Sequence, residues 1–214
     1  MKEFIIWDWN GTLLDDVHYC VECMNKVLSN HGLNKINKEF YQNSFTFPVK
    51  DYYTAIGFDF SKMDFEIPAM EFIHHYYSEI DRVNLHKGVV KTLQFFNDKN
   101  ISQFSLSAME HNKLISSLSS KGILEYFVAV KGIDDHYANG KVEMGKQLIN
   151  EHNIIPESTI MVGDTIHDFE VAQELEIDCV LVTGGHQSRN RLESVTPNII
   201  DFVELPLYIS GNNF

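Results

Sequence analysis

The sequence predicts an α/β three-layer sandwich, a five-stranded parallel sheet with helices on both faces, carrying a small all-helical module near its N-terminal end. Three observations carry this. From residue 89 onward, short apolar runs alternate with helix-length amphipathic stretches, the pattern of βαβ units joined by right-handed crossovers. The first apolar run, Phe4-Ile5-Ile6-Trp7, shows no polar alternation, as expected of a strand covered on both sides. Between these regions, residues 34–77 carry twelve Phe and Tyr residues, several at helical spacing. The expected division is an α/β core of residues 1–16 and 85–214 and a helical module of residues 17–84.

The elements follow in order. The first strand ends in the polar turn Asp8-Trp9-Asn10-Gly11-Thr12, with Gly11 as its hinge. A helix is expected over residues 16–31, because Val17, Cys20, Val21, Met24, Val27 and Leu28 recur on one face. Asp15 and Asp16 lie at its positive end and Gly32 at its stop. Pro48 and Gly57 divide the aromatic stretch into short helices, in which Phe65, Ala69, Phe72, Ile73 and Tyr76 keep helical spacing. Then come a helix at 89–96, a strand at 103–107, a helix at 113–121, a strand at 127–130 and a helix at 141–152. A strand at 160–162, a helix at 169–175 and a strand at 179–182 complete the pattern.

Composition narrows the function. A chain of 214 residues with 44% hydrophobic and 22% charged residues builds an ordinary globular core. The balance of 17 Lys+Arg against 30 Asp+Glu, a net charge of −13, argues against nucleic acid and anionic membranes as partners. Three cysteines make no disulfide framework. Cys20 and Cys23 fall on a predicted helix, where core packing is the expected use. No apolar run is long enough for a secretory signal or a membrane span, so the expected compartment is the cytoplasm. The sequence leaves monomer and homodimer undecided.

In doubly wound, Rossmann-like sheets ligands bind beyond the carboxyl ends of the strands, so the residues after each predicted strand are the candidates. They are Asp8 and Asn10 after the first, Ser107 after the second and Lys141 at the start of the helix after the third. Gly163-Asp164-Thr165-Ile166-His167-Asp168 follows the fourth, and Thr183-Gly184-Gly185-His186 the fifth. Clustered carboxylates suit a hard cation such as Mg²⁺. Backbone N–H groups of the Trp9-Asn10-Gly11 turn form an anion nest, and Ser107 and Lys141 add a hydroxyl and a cation. Ser105 competes with Ser107, and Lys146 and Lys131 with Lys141. These are the parts of phosphoryl transfer: a carboxylate nucleophile, a metal and a charge clamp.

The pattern resembles the haloacid dehalogenase superfamily of phosphatases and phosphotransferases over the whole chain. Asp8-Trp9-Asn10-Gly11-Thr12-Leu13 looks like its first motif, Ser107 its second, Lys141 its third, and Gly163-Asp164 with Asp168 its fourth. The helical stretch matches the family's cap, inserted after the first motif, and phosphoglycolate-phosphatase-like members are the nearest in kind. The resemblance implies Asp8 as nucleophile, forming an aspartyl-phosphate, and Mg²⁺ held by Asp8, Asp164 and the carbonyl of Asn10, supported by Asp168. It implies Ser107, Lys141 and the N–H groups near Gly11 as phosphoryl ligands, with Thr12 bracing the turn. Trp9 and His186 complete the expected substrate-binding set, and the expected substrate is a small phosphorylated metabolite.

One position departs from the family. Its phosphatases carry Asp two residues after the nucleophile as acid and base, and here Asn10 stands there. Asn donates a hydrogen bond but shuttles no proton. Three explanations follow: a leaving group that needs no acid, a proton from His167, Glu110 or His186, or a protein that binds phospholigands with little turnover. Relatives that cleave carbon–phosphorus bonds resemble the Asp-Trp pairing and use a cap lysine, for which Lys35, Lys38, Lys50 and Lys62 are the candidates.

Overall fold

A computed structural model describes residues 2–133 and 140–211. Strands β1 (Phe4–Trp7), β2 (Ser102–Glu110), β3 (Ala129–Ile133), β4 (Thr159–Gly163), β5 (Asp178–Val182) and β6 (Ile199–Ile200) form one sheet in the order β3-β2-β1-β4-β5-β6. Every neighbouring pair is parallel. The described sheet thus has six strands where the sequence predicts five. The addition, β6, contributes two residues, pairing Leu181 with Ile199 and Val182 with Ile200. Two residues just beyond Pro197-Asn198 leave no period to read.

Alternation along β1 divides the core into two layers. Ile5 and Trp7 pack with helices α1 (Val17–Asn30), α5 (Val89–Asp98) and α10 (Leu205–Ile209). Ile6 packs with α7 (Lys141–His152) and α8 (Ile166–Glu174) on the other face. Trp7 is fully buried and donates from Nε1 to Gln103 Oε1 at 3.1 Å, so its polar atom is satisfied inside the core.

Three further helices follow α1, namely α2 (Lys38–Ser44), α3 (Val49–Ala55) and α4 (Glu66–Glu79). Their aromatic residues form a chain of edge and stacked contacts, Tyr41 with Tyr52, Tyr52 with Tyr53, Tyr53 with Phe65 and Phe72 with Tyr76. Helix α4 packs along α1, and its Tyr76 reaches across to the end of β1. The remaining helices are α6 (His111–Ser120), after β2, and α9 (Arg189–Leu192), after β5.

Strand order reverses between β1 and β4, because β2 and β3 lie on one side and β5 and β6 on the other. The crevice between the carboxyl ends of β1 and β4 is where a doubly wound sheet receives ligands. Asp8 follows β1 and Asp164 follows β4.

Candidate active site

Three carboxylates and a lysine meet at that crevice. Carboxylate oxygens of Asp8, Asp164 and Asp168 lie within 4.8 Å of one another. Lys141, the first residue of α7, is buried and bonds Asp168 Oδ1 at 2.6 Å and Asp8 Oδ1 more closely still. The competing lysines are elsewhere: Lys146 pairs with Glu143, and Lys131 with Glu151. Asn139, the neighbour that with Gly140 marked Lys141 in the sequence, lies outside the described residues.

The carboxylates are differently placed. Thr12 Oγ1 bridges Asp164 Oδ1 at 2.9 Å and Asp8 Oδ2 at 3.4 Å. The other oxygen of Asp164 accepts the His186 N–H at 2.6 Å. Asp168 belongs to a capping box at the start of α8, where its Oδ2 accepts from Asp164 N, Thr165 N and Thr165 Oγ1. Asp168 thus positions Lys141 and the β4 turn, and Asp8 and Asp164 are better placed to take a cation. Among the described residues no donor reaches the Asn10 carbonyl oxygen. The two carboxylates are hard-oxygen donors of the kind that fits Mg²⁺, and the unengaged Asn10 carbonyl lies in the turn that follows Asp8.

The electrostatics agree with a cation here. Burial, helped by Asp168 and Asp164 and opposed by Lys141, pushes the Asp8 carboxyl up to about 8. Burial pushes Asp164 up to about 6, against the pull of His186. Asp168 stays below the ordinary carboxylate range despite burial, because Lys141 and Thr165 hold its charge. Lys141 is raised despite burial by Asp168 and Asp8. One lysine shared by two carboxylates leaves Asp8 short of positive charge.

The cavity separates the remaining expected residues. Ser107 is buried, accepts from Met109 N through Oγ at 3.1 Å and lines the cavity above Asp8, whereas Ser105 is buried away from it. The Trp9 ring is fully buried in the core, away from the cavity. Trp9 therefore offers a ligand its backbone N–H alone, which has no acceptor among the described residues. Gly11 N–H, expected in the anion nest, is occupied by Asp16 Oδ1 at 2.8 Å and by Leu14 O at 3.0 Å. The nest is therefore narrower than expected, because its third donor points at a buried carboxylate.

Asp16 is the site residue that sequence reasoning missed. It was expected as a helix-dipole residue at the start of α1, yet its carboxylate is fully buried and makes no cap hydrogen bond. It accepts instead from Gly11 N, from Asn10 Nδ2 at 2.9 Å and from Tyr76 OH at 2.6 Å, and pairs with His186 Nε2 at 3.2 Å. Against the effect of burial, His186, Tyr76 and Asn10 hold Asp16 below its ordinary value. Against the same effect, Asp16 with Asp164 and Asp8 lifts His186 to about 9. Tyr41 OH bonds the other ring nitrogen of His186 at 2.8 Å. The signal in the sequence was a second acidic residue directly after Asp15, and it reads equally well as a cap.

The loop after β5 divides between two tasks. His186 lines the cavity, while Gln187 and Ser188 bond the end of α2 through Phe45 O and Gln42 O. Of the three candidate proton donors, Glu110 caps α6 by accepting from Asn112 N and Lys113 N, away from the cavity, whereas His167 and His186 line it. None of Lys35, Lys38, Lys50 and Lys62 lines it.

Gly11 and Gly185 are required by close approach. A Cβ at Gly11, whose φ is +74°, would overlap the Asp164 carboxylate and come within 2.5 Å of His186 Cδ2. A Cβ at Gly185 would meet the same carboxylate. Gly11→Ala is expected to lower stability by roughly 1–3 kcal/mol, read as a fall in thermal midpoint, by combining backbone strain with overpacking.

The haloacid dehalogenase-like hydrolase family profile matches residues 5–182. The chain belongs to this family. Its relatives include a pyrophosphatase, PpaX, of Oceanobacillus iheyensis, 28% identical over 98% of this chain and 97% of that protein. A phosphoglycolate phosphatase of Photobacterium profundum is 24% identical over 92% of this chain and 90% of its own. Among solved structures, a predicted phosphatase from Clostridium acetobutylicum superposes with a TM-score of 0.83 at 17% identity, over 98% of this chain and 99% of that one. Protein Tyrosine Kinase A of Mycobacterium tuberculosis shares the fold at a TM-score of 0.80 and 20% identity, over 97% and 98%. Such likeness shows the fold. The chemistry must come from the site.

Proposed function

We propose that this hydrolase is a Mg²⁺-dependent phosphatase that cleaves a small phosphorylated metabolite through an aspartyl-phosphate on Asp8. The carrying observation is Asp8 itself, buried at the switch point, bonded to Lys141 and lining a cavity together with Lys141 and Ser107. Asp8 attacks phosphorus, the ester P–O bond breaks, and the leaving oxygen departs with the electron pair. Water then cleaves the acyl phosphate and restores the carboxylate. This reading assigns Lys141, Ser107 and the N–H groups of Trp9 and Asn10 to the phosphoryl oxygens. Mg²⁺, held by Asp8, Asp164 and the Asn10 carbonyl, would neutralise phosphate charge during transfer.

Asn10 supplies no proton; its Nδ2 donates to Asp16 and to Tyr76 OH. The leaving group either departs unprotonated or takes its proton from His167 or His186. The helices of residues 17–84 serve in this reading as the cap that closes the cavity. A net charge of −13 favours a small substrate over a polyanion. No described helix is long and apolar enough to cross a membrane. Cys20, Cys23 and Cys179 are buried free thiols, which supports a reducing, cytoplasmic setting.

The test is phosphate release across a panel of phosphate esters, including pyrophosphate and phosphoglycolate, with and without Mg²⁺. Release that stops on chelation is the expected result. Tight phosphate binding with no release from any ester would mean a binder. Metal affinity should also depend on pH. Asp8 and Asp164, at about 8 and about 6 without metal, must lose protons to bind it. Calorimetric Mg²⁺ affinity is therefore expected to rise as pH climbs from about 6 to about 8, with proton release on binding.

A further inference from the structure

The cavity above Asp8 measures about 360 Å³, at the small end of the roughly 300–1,000 Å³ typical of sites for organic molecules. Its carboxylates, its lysine and His186 gather at one end, and His167 lines the cavity apart from them. Asp8, Asp16, Asp164, Asp168, Lys141 and His186 all belong to the cluster already described, in which Lys141 is held by Asp8 and Asp168, and His186 by Asp16. Away from that end the walls come from the helical module and the end of β2. Phe45, Phe65, Phe72, Ile73, Tyr77 and Met109 are representative. Among the described residues no arginine and no second lysine lines the cavity. Residues 134–139, just before Lys141, contain no lysine or arginine in sequence.

These walls decide what can occupy the far end. A carboxylate or second phosphate there would meet no lysine or arginine and would face four carboxylates whose partners are already engaged. Such a placement is strongly unfavourable. An apolar ring would displace water from aromatic and aliphatic surface, which is favourable in proportion to the area covered.

From this lining we infer that the group esterified to the phosphate is uncharged and largely apolar, of aromatic size. The inference rests on the phosphatase reading above and narrows its substrate class. It sets this cavity apart from one built for a leaving group that is itself an anion. Selectivity lies in α3, α4 and the end of β2, and the residues around Asp8 are indifferent to it.

The experiment compares esters of one leaving-group type, so that intrinsic reactivity does not decide the outcome. Naphthylethyl phosphate, ethyl phosphate and phosphoglycolate all release a primary alkyl oxygen; pyrophosphate is added as the fully anionic case. With Mg²⁺ present, kcat/KM for naphthylethyl phosphate is expected to exceed that for ethyl phosphate by about 100-fold, the scale of moving a bicyclic ring out of water. It is expected to exceed phosphoglycolate and pyrophosphate by at least as much. The Ala69→Arg variant supplies the missing cation on the α4 wall and is expected to raise kcat/KM for phosphoglycolate while lowering it for the naphthyl ester. If wild-type protein hydrolyses phosphoglycolate or pyrophosphate as fast as the naphthyl ester, the apolar assignment is overturned and the phosphatase reading stands. If no ester is hydrolysed, both are overturned.

Discussion

Replacing Asp8 with Asn is expected to end phosphate release, with kcat falling by on the order of 10⁴–10⁶-fold, the scale of losing a covalent nucleophile. The protein should remain folded, because Asn fills the same volume beside Lys141 and Thr12. Metal-free protein should in fact become more stable. The Asp8 carboxyl is raised from 3.8 to about 8 by burial and its acidic neighbours. A raised carboxyl holds its proton in the folded state and loses it in the unfolded one. Its contribution is therefore full below about 4 and lost as pH rises towards about 8. Asn carries no such loss, so the variant's advantage in thermal midpoint should grow across that window. Single-turnover phosphate release and thermal melts at two pH values check both parts. Retained turnover would falsify Asp8 as the nucleophile.

What was readable in the sequence divides by the distance over which information must travel. Asp8, Asp164 and Lys141 could be placed because each lies directly beyond a strand or at the head of a helix, and chain order alone carries such residues to the sheet's carboxyl edge. The helix of residues 141–152 was placed with both ends correct, since glycine precedes it and its apolar period is clean. The aromatic stretch was recognisable as helical from its spacing. Trp9 entered the expected substrate-binding set through its backbone N–H; that its ring turns into the core was not readable, because the ring's direction depends on packing. Gly11 was assigned to the anion nest because turn chemistry shows that an N–H is available but not which acceptor takes it. Strand β6 was missed because two residues at the sheet edge form no pattern. Asp16 was missed for a deeper reason: two of its partners, Tyr76 and His186, come from distant parts of the chain and meet it only in the folded protein.

The same geometry makes loss of Asp16 costly to the fold. Asp16→Ala leaves Gly11 N–H, Asn10 Nδ2 and Tyr76 OH without their acceptor, and leaves His186 buried without its counter-charge. Removing one partner of a buried ion pair costs roughly 3–5 kcal/mol. At roughly 2–4 °C per kcal/mol for a domain of this size, the thermal midpoint should fall by about 6–20 °C. The pH dependence identifies the pair as the cause. His186 is raised from 6.5 to about 9, so its contribution is full below 6.5 and lost as pH rises through about 9. Asp16 is lowered from 3.8, so its contribution is present above that value and lost as pH falls through its lower folded value. The gap between wild type and an Asp16→Asn variant should therefore be widest between about 4 and about 6.5, and should narrow as pH approaches about 9. In that variant the His186 imidazole, followed by NMR, should titrate nearer 6.5 than 9. An unchanged His186 titration would mean that Asp164 and Asp8, rather than Asp16, hold its proton. The coupling matters for catalysis because Asn10 and Gly11, the two residues Asp16 holds, shape the turn that presents Asp8. Asp16 thereby joins the turn that carries Asp8, the proposed nucleophile, to Tyr76 of helix α4 through one buried carboxylate.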